Sequence, residues 1–314
     1  MKTVPVTGGA GFIGSHVCES LIKRGDKVIV VDNFNDYYDV QLKRNRIKKF
    51  NDNCKIYEVD ITDYVEMEKV FSENKIDQVC HLAAQAGVRY SIENPFVYEQ
   101  NNILGTLNLL ELCRHKKVNS FIFASSSSVY GGNKKIPFSE SASVDKPISI
   151  YAATKKSTEL MAYTYHDMFG INCTGLRFFT VYGPWGRPDM ALFKFTDSIL
   201  KEEKIDVYNF GKMKRDFTYV DDIVTGVISA LDHNYPYEIF NLGNSDTVEL
   251  NYFIELIEKE LGKKSLKNLM PMQAGDVPET YADISKARKM LGFDPKIGIG
   301  EGIKRFIKWH KEYY

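Results

Sequence analysis

Tyr151 and Lys155 stand four residues apart in the run Tyr151-Ala152-Ala153-Thr154-Lys155-Lys156-Ser157. That spacing is just over one helical turn, so both side chains project from one face. Tyr130/Lys134 and Tyr208/Lys212 share the spacing, but Gly131, Gly132 and Gly211 interrupt those windows and disfavour a helix. Only Tyr151 opens an uninterrupted helical run. Upstream, Ser125-Ser126-Ser127-Ser128 follows the β-rich run Ser120–Ala124. If that run is a parallel strand, the serines lie at its carboxyl end, where open α/β sheets bind ligands. A serine hydroxyl there can hold a substrate alcohol while Tyr151 removes its proton. A free phenol titrates near ~10, so serving as a base at neutral pH costs about 4 kcal/mol unless nearby cations stabilise the phenolate. Lys155 is one such cation. The plainer alternative is an exposed Tyr–Lys pair on a helix surface.

A second group of residues suits a dinucleotide. Thr7-Gly8-Gly9-Ala10-Gly11-Phe12-Ile13-Gly14 follows an apolar run and opens a helical pattern. Gly8, Gly11 and Gly14 permit a tight turn and a close backbone approach to a pyrophosphate, and the helix N-terminus behind Phe12 and Ile13 adds partial positive charge. Asp32 ends the next strand, where a carboxylate accepts from both hydroxyls of an adenosine ribose. It repels a 2′-phosphate, which favours NAD over NADP. The positive nicotinamide ring would be the second cation beside Tyr151. Leu82, Ala83 and Ala84, ending the fourth strand, let a cofactor lie close. Asn33, Ile61 and Ser125, also at strand ends, complete this candidate set. Asp60 has two readings, a partner for the adenine amino group or a helix N-cap beside Thr62 and Asp63. A βα turn without ligand is the alternative to the whole assignment.

The elements that must position these residues alternate. Strands are predicted at Thr3–Thr7, Lys27–Asp32, Cys54–Val59, Gln78–Leu82, Ser120–Ala124 and Cys173–Phe178, with helices at Ile13–Arg24, Val40–Phe50, Val65–Asn74, Glu99–His115 and Tyr151–Phe169. This order implies an α/β fold, a doubly wound parallel sheet of Rossmann type. After Phe178 the pattern is irregular: an ordered loop over Tyr182–Met190, a helix Leu192–Lys201, a segment Phe217–Leu231, a strand Glu238–Leu242, a helix Leu250–Leu261 and a final helix after Gly298. We read this as a smaller interleaved C-terminal α/β lobe. Residues 1–178, completed by about 214–243, form the dinucleotide domain, and 179–213 with 244–314 form the second lobe. Pro5 lies inside the first strand and lacks a ladder donor, which predicts an unpaired carbonyl or a local bulge.

Bulk properties exclude several classes. Forty-one basic and forty-one acidic residues cancel, so the charge excess that drives nucleic-acid binding is missing. Five scattered cysteines without a CxxC pair argue against a disulfide framework or a zinc site, and no metal is expected. Met1 runs directly into the strand-and-glycine pattern and no apolar run approaches ~18 residues, so a cytoplasmic protein with no membrane partner is expected.

Longer segments carry a family resemblance. His81 to Arg89, Ser125 to Gly131, Tyr151 to Lys156, Leu176 to Met190 and Arg215 to Asp222 resemble the extended short-chain dehydrogenase/reductase family, nearly end to end, and most resemble its UDP-glucuronate 4-epimerases. The resemblance implies Tyr151 as base, Lys155 on the nicotinamide ribose and Ser126 on the reacting hydroxyl. It implies Arg187 and Arg215 on the UDP pyrophosphate, Arg89 and Asp276 near the substrate, and Asn102 and Lys43 on NAD. From the residues alone, Arg187 and Arg215 could equally be surface charges, and Lys43 one charge in a basic helix. The implied reaction oxidises C4 of UDP-glucuronate, turns the 4-keto sugar and reduces its opposite face to UDP-galacturonate. Thr180 and Gln273 stand where neutral-sugar epimerases tend to have asparagine and arginine. Thr180, Ser126, Ser127 and Ser128 would ring the sugar's C6 with hydroxyl donors for a carboxylate. Ser127 and Ser128 capping the loop is the other reading. A neutral UDP-hexose 4-epimerase, a UDP-glucuronate decarboxylase and a non-catalytic NAD-sensing protein are the rivals. By resemblance only, the chain forms a homodimer through helices Glu99–His115 and Tyr151–Phe169.

Overall fold

Alternation of β-branched runs with amphipathic ones produces a seven-stranded, wholly parallel sheet. The computed structural model describes residues 1–272 and 277–314. Six strands come from the first 178 residues: β1 (Thr3–Thr7), β2 (Lys27–Asp32), β3 (Lys55–Glu58), β4 (Val79–His81), β5 (Ser120–Ser126) and β6 (Asn172–Phe178). The seventh, Tyr237–Leu242, lies beside β6 at one edge, and the order continues inward as β5, β4, β1, β2 and β3. The strand order reverses between β1 and β4. Such a switch point leaves a crevice at the strands' carboxyl ends. The doubly wound expectation therefore holds.

Helix α1 (Phe12–Lys23) follows β1 with Gly11 at its N-cap and no side chain capping it. The long helix Ile150–Phe169 starts on a Ser149 cap, whose hydroxyl accepts from Ala152 N, and ends on Gly170 in the left-handed region. The predicted Glu99–His115 helix begins with a π-helical turn, Glu99–Leu104, and continues as Gly105–Lys116. The predicted Phe217–Leu231 segment splits into a strand, Phe217–Tyr219, and a helix, Val220–His233. Tyr219 marks the switch because its backbone is extended and the first-turn acids Asp221 and Asp222 favour a helix N-terminus. Short strands unseen in the sequence bind the later segments. Thr180–Tyr182 pairs with Phe217–Tyr219, Lys204–Val207 with Leu266–Leu269, and Lys214–Arg215 with Val248–Glu249. A helix at Ser285–Leu291 is also new.

Pro5 behaves as predicted. β1 stays in unbroken register with β2, but on its other side Thr3 O accepts from Asp77 N and Thr7 O from Leu82 N. The five residues Thr3–Thr7 thus face the six residues Asp77–Leu82, one extra residue across from the proline-bearing strand, which is a local bulge.

Two buried polar clusters fasten the site to this frame. His81 at the end of β4 contacts Thr7 Oγ1 at 2.7 Å through Nδ1 and Thr106 Oγ1 at 3.0 Å through Nε2. Because Thr106 already donates to Asn102 O, it must accept from His81, which puts the ring proton on Nε2. Burial, with Lys155 nearby, pushes this imidazole down to about 3. The second cluster joins the Ile150–Phe169 helix to the sheet. Glu159 receives two 2.8 Å bonds from Arg177 on β6 and a 2.7 Å bond from Ser125 Oγ on β5. Both charged side chains are almost wholly buried. Replacing Glu159 by Ala strands a buried guanidinium, and we predict a loss of roughly 3–5 kcal/mol of unfolding free energy, measured by urea denaturation. A Glu159→Leu/Arg177→Met pair should recover most of it.

Candidate active site

The crevice at the switch point opens into a cleft of about 1190 Å³. Small-molecule pockets span ~300–1,000 Å³, so this one has room for more than one nucleotide-sized ligand. Its floor is the glycine turn. Gly8 has φ +68°, and a methyl group there would stand 2.8 Å from Ala83 Cα. A methyl on Gly14 would stand 2.0 Å from Gly8 O. The turn is closed by Gly11 N donating to Gly8 O. The uncapped N-terminus of α1 therefore faces the cleft across bare backbone, an arrangement fitted to a pyrophosphate.

Gly8, Gly11, Phe12, Ile13, Gly14, Asp32, Asn33, Lys43, Ile61, Leu82, Ala83 and Ala84 line this end. Asp32 accepts from Ala10 N and Phe34 N, leaving lone pairs toward the cleft. Burial raises its carboxyl against those bonds and the charges of Lys43 and Arg46. Lys43 Nζ donates to Asn35 O and Oδ1 at 2.7 and 2.8 Å, so it braces the loop after Asp32 as well as facing the cleft.

Two predicted cofactor contacts lie outside the cleft lining. Asp60 does not line the cleft; its carboxylate accepts from Thr62 N, Thr62 Oγ1 and Asn33 Nδ2, closing the turn before the next helix. The helix cap is Asp63, which accepts from Glu66 N. Asn102 is also behind the wall. Its amide brackets both backbone groups of Gln85 and donates to Thr154 Oγ1, so both its N–H donors are engaged within the protein.

At the other end Tyr151 and Lys155 line the cleft with Ser125, Ser126, Ser127 and Ser128. Ser126 lies close enough to Tyr151 for its hydroxyl to lower the phenol, the juxtaposition expected of a base and a substrate-holding hydroxyl. Ser126 Oγ also accepts from Ser128 N, so Ser126 caps the turn that the other serines form. Ser125 is divided between the cleft and its bond to Glu159. Lys155 Nζ donates to Ala124 O at 2.8 Å, and its two other N–H bonds remain for the cleft. The electrostatics depart from expectation. Burial raises the Tyr151 phenol above its ordinary value, and the nearby Ser126 hydroxyl and Arg187 charge only partly oppose this. Burial also pushes the Lys155 amine down to about 8. The chain's own groups hold the phenol protonated.

Arg89, Thr180, Arg187 and Arg215 line the far wall. Arg187 forms a two-bond pair with Asp189, which also accepts from Tyr37. Burial opposes its charge, but Asp189 outweighs that and pushes the guanidinium further up. Arg215 donates to Lys214 O, and Arg89 stacks 4.7 Å over the Tyr208 ring. Gln273 and Asp276 lie outside the described residues. Sequence reasoning missed Tyr98, whose ring meets Tyr151 edge-on at 6.0 Å and whose hydroxyl donates to Ala86 O and Gly87 O. It also missed Glu159, although an acid four residues beyond Lys155 on the same helical stripe was a readable signal.

Comparison with known proteins agrees with this geometry. The family model described as GDP-mannose 4,6 dehydratase matches residues 6–306. The chain belongs to that family. It is an extended short-chain dehydrogenase/reductase, as the motifs implied. The chain is 48% identical over 311 residues to a UDP-glucuronate 4-epimerase of Thermodesulfobacterium geofontis, covering 98% of this chain and 95% of the relative. A crystal structure of UDP-glucuronic acid 4-epimerase from Bacillus cereus, in complex with UDP-glucuronic acid and NAD, superposes with a TM-score of 0.93 at 36% identity, covering 99% and 100% of the two chains. A UDP-glucose 4-epimerase of Thermotoga maritima with UDP-glucose gives 0.90 at 34% identity, with 99% of each covered.

The lowered Lys155 value makes a stability prediction. Between about 8 and the ordinary 10.5 the unfolded chain binds this proton and the folded chain does not. The cost of the buried ammonium is thus fully present below pH 8 and vanishes as pH rises to 10.5. Lys155→Met should be more stable than the parent by on the order of 2–3 kcal/mol at pH 7 and equal to it above pH 10.5, read by urea titration at both ends.

Proposed function

We propose that this chain is an isomerase, an NAD-dependent UDP-glucuronate 4-epimerase that interconverts UDP-glucuronate and UDP-galacturonate through a transient 4-keto sugar. One observation carries the reading. A single cleft joins an uncapped glycine turn and Asp32 to a Tyr151–Ser126 pair, and its lining near that pair carries the hydroxyls of Ser126, Ser127, Ser128 and Thr180, with Arg89, Arg187 and Arg215 on the far wall. The likeness to UDP-glucuronate 4-epimerases supports the uronic acid over a neutral hexose.

The protein's share of the chemistry follows from its side chains. Gly8, Gly11 and Gly14 with the α1 N-terminus would hold the cofactor's pyrophosphate, and Asp32 its adenosine ribose. When bound, NAD supplies the reversible two-electron exchange at C4 and a positive ring charge near the phenol. Tyr151 takes the 4-hydroxyl proton and later returns it to the opposite alcohol. Ser126 holds the reacting oxygen, and Lys155 presents its free N–H bonds beside the phenol. Arg187 and Arg215 grip the diphosphate, so the sugar turns about a fixed anchor; Arg suits phosphate because its donors form a planar fork. The 4-keto acid loses CO2 when its carboxylate bond stands perpendicular to the carbonyl plane. Short, rigid hydroxyl donors can hold the carboxylate out of that orientation.

Residues 179–213 and 244–314 serve as the nucleotide-sugar lobe in this proposal. A cytoplasmic setting suits five cysteines with no disulfide among them. Leu160, Tyr163 and Met168 are exposed on the Ile150–Phe169 helix, and Leu104 and Leu107 on the helical run Glu99–Lys116. These apolar faces suit a symmetric homodimer. Sedimentation should find a dimer at micromolar concentration, and Leu160→Glu should shift it toward monomer.

The decisive assay is incubation with UDP-glucuronate. UDP-galacturonate without CO2 is expected; a UDP-pentose, or turnover of UDP-galactose alone, would reject the assignment. Tyr151→Phe should lower kcat by about 10²–10⁴-fold while the variant still copurifies with NAD.

A further inference from the structure

Arg46 lies on the Val40–Ile47 helix with 1% of its surface exposed, and it does not line the cleft. Its guanidinium is spent on carbonyls and a phenol. Nε donates to Trp185 O at 3.0 Å and Nη2 to Gly186 O at 3.0 Å. Nη1 reaches Ala10 O at 3.2 Å and Tyr38 Oη at 2.6 Å. These acceptors belong to two turns some 175 residues apart in the chain.

What those carbonyls are attached to gives the contact its meaning. Ala10 O shares a peptide plane with Gly11 N, which closes the glycine turn onto Gly8 O. Gly186 O shares a peptide plane with Arg187 N, so Arg46 grips the peptide from which Arg187 extends into the cleft. The second turn is also strained. Trp185 has φ +61°, unusual for a residue with a bulky side chain, and Gly183 has φ +145°. Such a conformation persists only where its surroundings over-determine it. A rigid planar fork can meet several carbonyls at fixed angles, whereas a lysine ammonium cannot reproduce that pattern.

We infer that Arg46 is a positioning residue that locks the Arg187-bearing turn onto the glycine turn, so that the nucleotide-sugar end and the dinucleotide end of the cleft hold their shapes as one unit. This rests on the reading of Arg187 as a diphosphate-binding residue. It assigns no contact with either ligand to Arg46 itself.

UDP, which lacks the sugar, is the probe, titrated calorimetrically into NAD-loaded protein. Arg46→Lys keeps a buried cation but loses the fork, and Arg46→Met removes the charge. For either folded variant the UDP Kd and the KM for UDP-glucuronate should rise about tenfold or more while kcat changes less than about threefold, since displacing a binding group without touching the base splits the two constants. A purely structural role would lower Tm and leave that split at unity. Hydrogen exchange on the parent holoenzyme needs no variant: UDP should slow exchange over residues 8–14 as well as 185–190. Protection confined to 185–190, or a UDP Kd in Arg46→Lys within about twofold of the parent, overturns the inference. If the parent holoenzyme binds no UDP, the nucleotide-sugar reading itself has failed, an outcome separate from the others.

Discussion

A carboxylate buried out of reach of water must be matched where it stands, and in this chain that requirement fixes where the Ile150–Phe169 helix lies. Glu159 is one turn beyond Lys155 and two beyond Tyr151, and both its oxygens are engaged by Arg177. Arg177 is itself held opposite Ser125 in the β5–β6 register, and Ser125 closes the triangle through its own bond to Glu159. A slide of the helix along the sheet would leave two buried charges unmatched. Pairs of this kind return little net stability once desolvation is counted. What they specify is register, and here register is the spacing between a phenol on a helix and a serine at a strand end.

That spacing does not by itself make a base. Burial holds Tyr151 protonated, and Lys155 directs one of its donors to Ala124 O. A buried phenol and a buried amine one helical turn apart each favour their neutral forms. The positive charge that reverses this must come with a ligand, so the site is inert toward alcohols until it is loaded. The same logic suits a wall of hydroxyls at the sugar end: neutral donors hold an anion without adding a mobile cation to a balance that one more charge would tip.

Much of this was legible because it is local. The glycine turn, the Tyr151 helix and the serine run each announce themselves within eight residues, and strand–helix alternation predicts the parallel sheet. The rest depends on distant partners. Asp60 and Asn102 have residue types that suit ligand contacts, but a sequence does not say which protein groups a side chain also meets, and both bond to protein partners beside the cleft. The short strands Thr180–Tyr182 and Lys214–Arg215 are too brief to show alternation and exist because a distant segment pairs with them. Arg46 gives no signal in the sequence because its acceptors are carbonyls, which every residue carries. Pro5 went the other way, since a missing donor is visible in the residue itself.

The histidine beneath the glycine turn has a cost that acid reveals. His81 is held neutral between Thr7 and Thr106 at the strand ends that floor the crevice. Unfolded, it would gain a proton near pH 6.5; folded, it resists down to about 3. Every step downward through that interval favours the open chain over the closed one. The histidine that fits the floor of the crevice so closely when neutral thus makes the whole fold lose stability as the surroundings turn acid.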